Sequence, residues 1–280
     1  MEIIKATGEK ELFEHEKLCG SLRASGAPSE VADKICNAVA KDLSPGATTT
    51  EIFREALRHL VKENIGLAAR YSLKRGMAEL GPAGFYFEQF VEAILRAEGY
   101  TTARNQFLRG ECVTHEVDIV AYKGDEHYFI EAKYKNKPHL KTHVDVVAYA
   151  WARLDDIRRV EEKKEGGKAK HYAWVITNTK LTLSAIQYAN CKNIKTTSWS
   201  HPNGEALENL IAKHALYPVT VLPSVNSHTL EIFAKHGMML AQDLIPYTAE
   251  DLETKFGIKK AVASKINKEA QALLATAHQG

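Results

Sequence analysis

The sequence predicts a multidomain α/β protein: a mainly helical N-terminal segment, a central three-layer α/β/α domain on a mixed sheet, and a small helical C-terminal segment. Three observations predict it. Apolar residues recur at helical spacing as far as the cluster Gly81-Pro82-Ala83-Gly84. Beyond that cluster, helical stretches alternate with short β-branched and aromatic runs to about residue 222, and from there the pattern is helical to the end. The expected domains are therefore 1–80, 81–222 and 223–280.

The first segment opens with a β-like run, Ile3-Ile4-Lys5, a turn at Thr7-Gly8-Glu9, and helical periodicity from about Leu12. Its helices are marked by Leu12, Leu18 and Leu22, then Val31, Ile35 and Val39, then Ile52, Leu57 and Leu60. Thr48-Thr49-Thr50-Glu51 opens the third with a capping-box pattern, and a fourth helix runs from about Gly66 to Leu80. In the central segment, Phe87, Phe90, Val91, Ile94 and Leu95 mark a helix. Strands are expected at 116–122 and 128–134, joined by the turn Lys123-Gly124-Asp125-Glu126. A helix at 144–160, a charged loop at 161–170, a buried strand at 171–177, a helix at 184–190, a strand at 194–199 and a helix at 204–215 follow. The last segment ends in two helices, 249–256 and 261–274, around a Gly257-Ile258 turn.

With 280 residues, 45% hydrophobic and 26% charged, the composition excludes disordered, collagenous and coiled-coil chains. No apolar run approaches the ~18–20 residues of a membrane span, and the acidic start lacks the features of a signal peptide. A soluble, cytoplasmic protein without membrane contact is expected. The four cysteines lie far apart with no CxxC pair, and read as free thiols. The net charge of +2 advertises no polyanion partner by itself.

Asp118, Glu131 and Lys133 carry the chemistry. Alternate side chains of a strand share a face, so Glu131 and Lys133 point together, and antiparallel pairing brings Asp118 beside Glu131. Two carboxylates and a backbone carbonyl, here that of Ala132, make an oxygen-rich site for Mg²⁺ or Mn²⁺, which can neutralise charge developing on a phosphodiester. The neighbouring lysine can orient water or stabilise phosphoryl oxygens. Such residues also occur on any solvated strand face. His115, His127, His139 and His143 read as loop or surface residues, since Mg²⁺ prefers oxygen, and Arg153 and Lys135 read equally as phosphate contacts or as solvated surface.

The motifs Gly84-Phe85-Tyr86-Phe87-Glu88, Val117-Asp118-Ile119, Ile130-Glu131-Ala132-Lys133 and Trp174-Val175-Ile176-Thr177-Asn178-Thr179 resemble the Mrr-like, type IV restriction endonuclease branch of the PD-(D/E)xK nucleases. Val117 stands where the superfamily's name has proline. The resemblance implies a restriction-endonuclease-like fold and a Mg²⁺-dependent endonuclease on double-stranded DNA, acting in restriction or defence against foreign DNA. Asp118 and Glu131 would hold metal, Lys133 would be catalytic, and Glu88 matches the helical glutamate near the site. Cutting both strands with one site per chain calls for at least a homodimer.

The N-terminal Ile4-Lys5-Ala6-Thr7-Gly8, with Glu11, Phe13 and Lys17-Leu18, resembles an ATP-cone, the nucleotide-sensing module of ribonucleotide reductases. That resemblance implies regulation by ATP or dATP, with Lys5 and Lys17 meeting phosphates, Glu11 and Leu18 lining the site and Thr49 approaching the nucleotide. Ala6 replaces the usual arginine, and Phe53 the usual histidine. Read from the residues alone, Lys5 and Lys17 are surface lysines. The turn Phe256-Gly257-Ile258-Lys259-Lys260 resembles a helix-hairpin-helix, for which DNA binding and assembly stand as equal readings. Against the nuclease stands a different class of function: a catalytically silent, nucleotide-sensing regulator that binds DNA or a partner on a nuclease scaffold.

Overall fold

Hairpin pairing, not helix formation, takes the first apolar residues of the chain. In the computed structural model, which describes residues 1–5, 8–80, 84–137, 139–164 and 169–277, β1 (Glu2–Ile4) and β2 (Lys10–Leu12) pair antiparallel with Ile3 opposite Glu11. Gly8 turns between them at φ +86°, a conformation that suits glycine; Ala6 and Thr7 lie outside the described residues. Helix from Leu12 was expected. Instead Leu12 pairs with Glu2 and is 66% exposed, the Phe13 N–H bonds the Met1 carbonyl, and α1 (His15–Ala24) starts three residues later. A register that keeps the backbone extended through Phe13 overrides the helical spacing.

The chain divides into two compact units. One comprises Met1–Leu73, Val221–Thr229 and Leu244–Gly280; the other comprises Lys74–Thr220 and Leu230–Asp243. In the first, α1 packs with α2 (Ser29–Asp42), α3 (Thr49–Glu63) and the first turns of α4 (Ile65–Ala78) around Leu18, Leu22, Ile35, Val39, Ile52 and Leu60. Each such apolar side chain stabilises by roughly 1.5–3 kcal/mol on burial. The capping box forms as its spacing demands: Glu51 N–H donates to Thr48 Oγ1 (3.1 Å) and Thr48 N–H to Glu51 Oε2 (2.7 Å). The thiol expectation holds for Cys112 and Cys191, both exposed, but not for Cys19 and Cys36, which are joined in a disulfide between α1 and α2. Seventeen residues of sequence hid a Cα separation of 5.7 Å.

The second unit is built on a mixed five-stranded sheet. Its elements in chain order are α5 (Gly84–Ala97), β3 (Thr101–Arg109), β4 (Thr114–Lys123), β5 (Glu126–Lys133), β6 (Lys141–Thr142), α6 (Val144–Lys164), β7 (Lys170–Thr177), β8 (Lys180–Leu181), α7 (Leu183–Lys192), β9 (Lys195–Thr197) and α8 (Leu207–Lys213). The strand order is β3-β4-β5-β7-β9, antiparallel among the first three and parallel thereafter, while β6 and β8 form a small parallel pair. Gly81, Pro82 and Ala83, the expected domain boundary, and 165–168 of the expected charged loop lie outside the described residues. The preceding residues 161–164 continue α6.

Central strands are buried on both faces. Val117, Val120, Phe129, Ala173 and Val175 share a core with Val147, Leu154 and Ile157 of α6 and Ala185 and Ala189 of α7. Ile119, Ile130, Trp174 and Ile176 are buried too, and α5, with Phe87, Phe90, Val91, Ile94 and Leu95 buried, packs on β3, β4 and β5. β3 was not expected from sequence. It is an edge strand, paired among the described residues with β4 alone; every residue in it is exposed or half-buried, so it shows no apolar period.

After α8, α9 (Ser227–Lys235) crosses from the first unit to the second, and α10 (Ala249–Phe256) and α11 (Lys260–Ala277) belong to the first. The turn between α10 and α11 uses Gly257 at φ +69°, whose N–H bonds Glu253 O (3.0 Å), and seats Ile258 at 2% exposure.

Candidate metal centre

The carboxylates meet because of register. Ile119 pairs with Ile130, so the next step along the antiparallel ladder sets Asp118 opposite Glu131. The ladder stops there, and Asp118 Oδ2 accepts the Ala132 N–H at 2.7 Å, which holds the carboxylate at the strand end. Lys133 follows on the same face of β5 as Glu131. Glu88 comes from α5, one residue after the fully buried Phe87. The Phe87 ring lies 5.8 Å from that of Tyr134, whose hydroxyl donates to Ala78 O at 2.5 Å. These contacts fix the start of α5 against the end of β5. Glu88, Asp118, Glu131, Ala132, Lys133, Lys135 and Leu140 line one cleft of about 490 Å³.

Three carboxylates, of Glu88, Asp118 and Glu131, share the cleft with the ammonium groups of Lys133 and Lys135. Burial first, then the Glu131 charge, pushes Asp118 up to about 6, against the opposing Ala132 N–H and Arg153. Burial also raises Glu88, with Glu116 and Glu131 adding to the shift and Arg104 opposing it. Raised carboxylates in a cleft need a cation, and a set made only of oxygens suits a hard one such as Mg²⁺.

Arg153 is where structure and sequence differ most. It does not lie on a solvated helix face. Only 4% exposed, it pairs with Glu131 Oε2 and donates to Glu116 O at 2.6 Å. It thus steadies one oxygen of Glu131 near the C-terminal end of β5, the central strand of the sheet. Its place on α6 is legible as helix, but no local signal announces a partner twenty-two residues away. Lys135 lines the cleft while its backbone is clasped by Asn178, Lys135 N–H to Oδ1 at 2.9 Å and Nδ2 to Lys135 O at 2.8 Å. His139 and His143 are exposed, as expected, whereas His115 bonds Asp156 at 2.8 Å.

In the first unit, Lys5, Glu11 and Lys17 converge: Glu11 Oε2 lies 2.9 Å from Lys5 and 3.8 Å from Lys17, and Lys17 also meets Glu14 at 2.7 Å. Their ion pairs raise both lysines and lower Glu11. Leu18 is not in this surface cluster; it is 6% exposed in the core. Thr49 starts α3, next to Thr48, which bridges Ile4 of the hairpin. A separate cleft of about 470 Å³ in this unit is lined by Asp42, Ser44, Gly46, Glu51, Glu55 and Arg58, without Lys5 or Lys17.

Residues 82–201 match the family model described as restriction endonuclease, of the Mrr catalytic type, so the cleft belongs to a domain of a nuclease class. Residues 217–274 match the model "AF1548-like, C-terminal". An uncharacterized protein of Archaeoglobus fulgidus is 32% identical over 181 residues, which are 65% of this chain and 98% of that protein. The crystal structure of the protein of unknown function AF1548 superposes with a TM-score of 0.54 at 30% identity, covering 69% of this chain and all of that one. The chain belongs to the family of these proteins, in which a restriction endonuclease domain is followed by an AF1548-like C-terminal segment.

Proposed function

We propose that the protein is a Mg²⁺- or Mn²⁺-dependent PD-(D/E)xK endonuclease that hydrolyses phosphodiester bonds of double-stranded DNA. The observation that supports it is the meeting of Asp118 and Glu131 in one cleft, one step beyond the last ladder pair, where burial and the Glu131 charge raise Asp118 to about 6. A scaffold has no reason to hold such a pair; a cation site does.

Asp118, Glu131 and the Ala132 carbonyl would hold the metal, which when bound supplies neutralisation of charge developing on the phosphate. Arg153 keeps Glu131 oriented by occupying one of its oxygens, leaving the other for the cation. Lys133, two residues on along the same face, would donate a hydrogen bond from its ammonium to orient the attacking water or to stabilise a non-bridging phosphate oxygen. Glu88, raised by burial, sits where it can accept a proton from that water.

The first unit would act as an ATP-cone sensing ATP or dATP. The β1-β2 hairpin followed by four helices and the convergence of Lys5, Glu11 and Lys17 support this, with Thr49 at the start of α3. The family matches named above lie within 82–274 and bear on the nuclease and C-terminal parts. Homodimerisation would bring two cleavage sites to one duplex, α10 and α11 would serve DNA binding or assembly, and restriction of foreign DNA would be the role in a cytoplasmic setting. No helix among the described residues is long and apolar enough to cross a membrane.

The test is cleavage of supercoiled plasmid, methylated and unmethylated, with Mg²⁺ or EDTA and with or without ATP or dATP. Wild type should cut only with metal, and Glu131→Ala and Lys133→Ala should not cut. Intact plasmid in every lane, with nucleotide still bound, would transfer the assignment to the silent regulator.

A further inference from the structure

The first unit holds a second cluster of metal-ligating chemistry, remote in kind from the carboxylates. His15 and Cys19 are four residues apart on α1, so they stand on one face of the helix, and α2 delivers Cys36 against them. One donor atom from each of His15, Cys19 and Cys36 lies within 4.8 Å of the others. Both cysteines are buried, at 1% and 0% exposure, while His15 covers them from the solvent side.

The imidazole is already set for ligation. Nε2 lies 3.1 Å from Asn37 Oδ1, an acceptor that favours the tautomer with the proton on Nε2. In that tautomer Nδ1 offers the lone pair; it is 3.5 Å from Cys19 Sγ, with Nε2 at 3.9 Å. A ligating histidine whose other nitrogen donates to an oxygen is the usual outer-shell arrangement of a metal site. An ordinary structural disulfide has no use for a histidine oriented in this way.

We propose that, with its disulfide opened by a dithiol or phosphine reductant, this cluster binds one soft divalent cation, Zn²⁺ by preference, through His15 Nδ1, Cys19 Sγ and Cys36 Sγ. Reduction transfers two electrons to the S–S bond and gives two thiols: a dithiol ends as its own disulfide, and a phosphine, with one water supplying oxygen and the two protons, ends as its oxide. Metal binding then displaces the two thiol protons. Two thiolates and a neutral imidazole balance the ion's charge, and three protein ligands leave a fourth position for water or an exogenous ligand. Thiolate and imidazole select Zn²⁺ over Mg²⁺, whereas the carboxylate cleft offers the oxygens that Mg²⁺ requires.

The experiment uses the full chain in a Cys112→Ser/Cys191→Ser background, which removes the exposed thiols. The protein is reduced with a phosphine, freed of reductant without oxygen, and titrated with Co²⁺ alone. Uptake of about one equivalent, with a sulfur-to-cobalt charge-transfer band, the intense visible absorption of tetrahedral Co²⁺ and displacement by Zn²⁺, is expected. Because His15 and Asn37 are exposed, His15→Ala and Asn37→Ala should keep their far-UV circular dichroism. His15→Ala should weaken Co²⁺ binding at least about 100-fold and Asn37→Ala about 10-fold. Cys36→Ser should abolish the charge-transfer intensity or halve it. No uptake by the reduced protein, uptake without the charge-transfer band, or binding unchanged in His15→Ala would each overturn the proposal.

Discussion

Two aspartates of the same unit end in opposite states. Asp156, on α6, accepts the backbone N–H groups of Cys112 (2.8 Å) and Val113 (3.3 Å) and a bond from His115 (2.8 Å), and these hold its carboxyl far below the usual range. Asp118, on β4, accepts one N–H and faces Glu131, and is pushed up to about 6. The first is a satisfied anchor for the 110–113 loop. The second is buried beside another carboxylate and accepts a single N–H. In one domain, the carboxylate with fewer donors is the one that lines the proposed metal cleft.

The widest contrast should come from chemistry. Asp118→Asn, Glu131→Ala and Lys133→Ala should each lower the plasmid cleavage rate by at least about 10³-fold, a loss of several kcal/mol of transition-state stabilisation. Asp156→Asn should lower the thermal midpoint while metal-dependent cleavage by the folded protein persists. If the two sets of variants behaved alike, the distinction between site and anchor would fall.

Next in size is the buried pair. Arg153→Met leaves Glu131 without its partner and should destabilise the protein by about 3 kcal/mol in denaturant titration. The same variant should weaken Mg²⁺ binding measured by calorimetry, since Glu131 loses its orientation.

The pH response sharpens the comparison further. A carboxyl raised by burial binds its proton more tightly in the native state than in the unfolded chain. Its contribution to stability is therefore complete below about pH 4 and is lost as pH rises through about 6. In EDTA, denaturant titrations at pH 4.5, 6 and 8 should show this fall, and Asp118→Asn should flatten it. Metal must displace that proton, so below pH 6 the cleavage rate at subsaturating Mg²⁺ should drop about tenfold per pH unit. Asp156 sends the opposite signal: its lowered carboxyl adds stability that is lost only on strong acidification.

The smallest effect expected is at the hairpin. Lys5→Ala and Lys17→Ala should each reduce ATP or dATP binding about tenfold in equilibrium titration, the share of one charge-assisted contact. Plasmid cleavage without nucleotide should be unchanged in both.

The elements with strong periodicity were legible. The helix at 144–160 became α6, the strands at 116–122 and 128–134 became β4 and β5, and the helices flanking Gly257-Ile258 became α10 and α11, each with ends shifted by a few residues. β3 was not legible, because an edge strand with polar residues on both sides carries no apolar alternation. Nor was β2: Leu12 fits a helical stripe as well as a hairpin, and only its pairing with Glu2 decides. At the site, Asp118, Glu131 and Lys133 could be singled out because strand alternation is a local rule. The pairing of Arg153 with Glu131, the bond of Tyr134 to Ala78 and the His15-Cys19-Cys36 cluster could not be, since each forms through packing of elements remote in sequence.

The sequence by itself determined the secondary-structure periods, the caps, the turn glycines and the identity of the residues offered for chemistry, because each depends on neighbours within about one helical turn or one strand pair. Tertiary structure alone decided the charge state of those residues. Asp118 and Asp156 differ in nothing but surroundings, and it is burial, one facing carboxylate and the number of N–H groups within reach that raise one and lower the other. Those terms are distances through space, and the order of residues along the chain does not contain them until the strands and helices have packed.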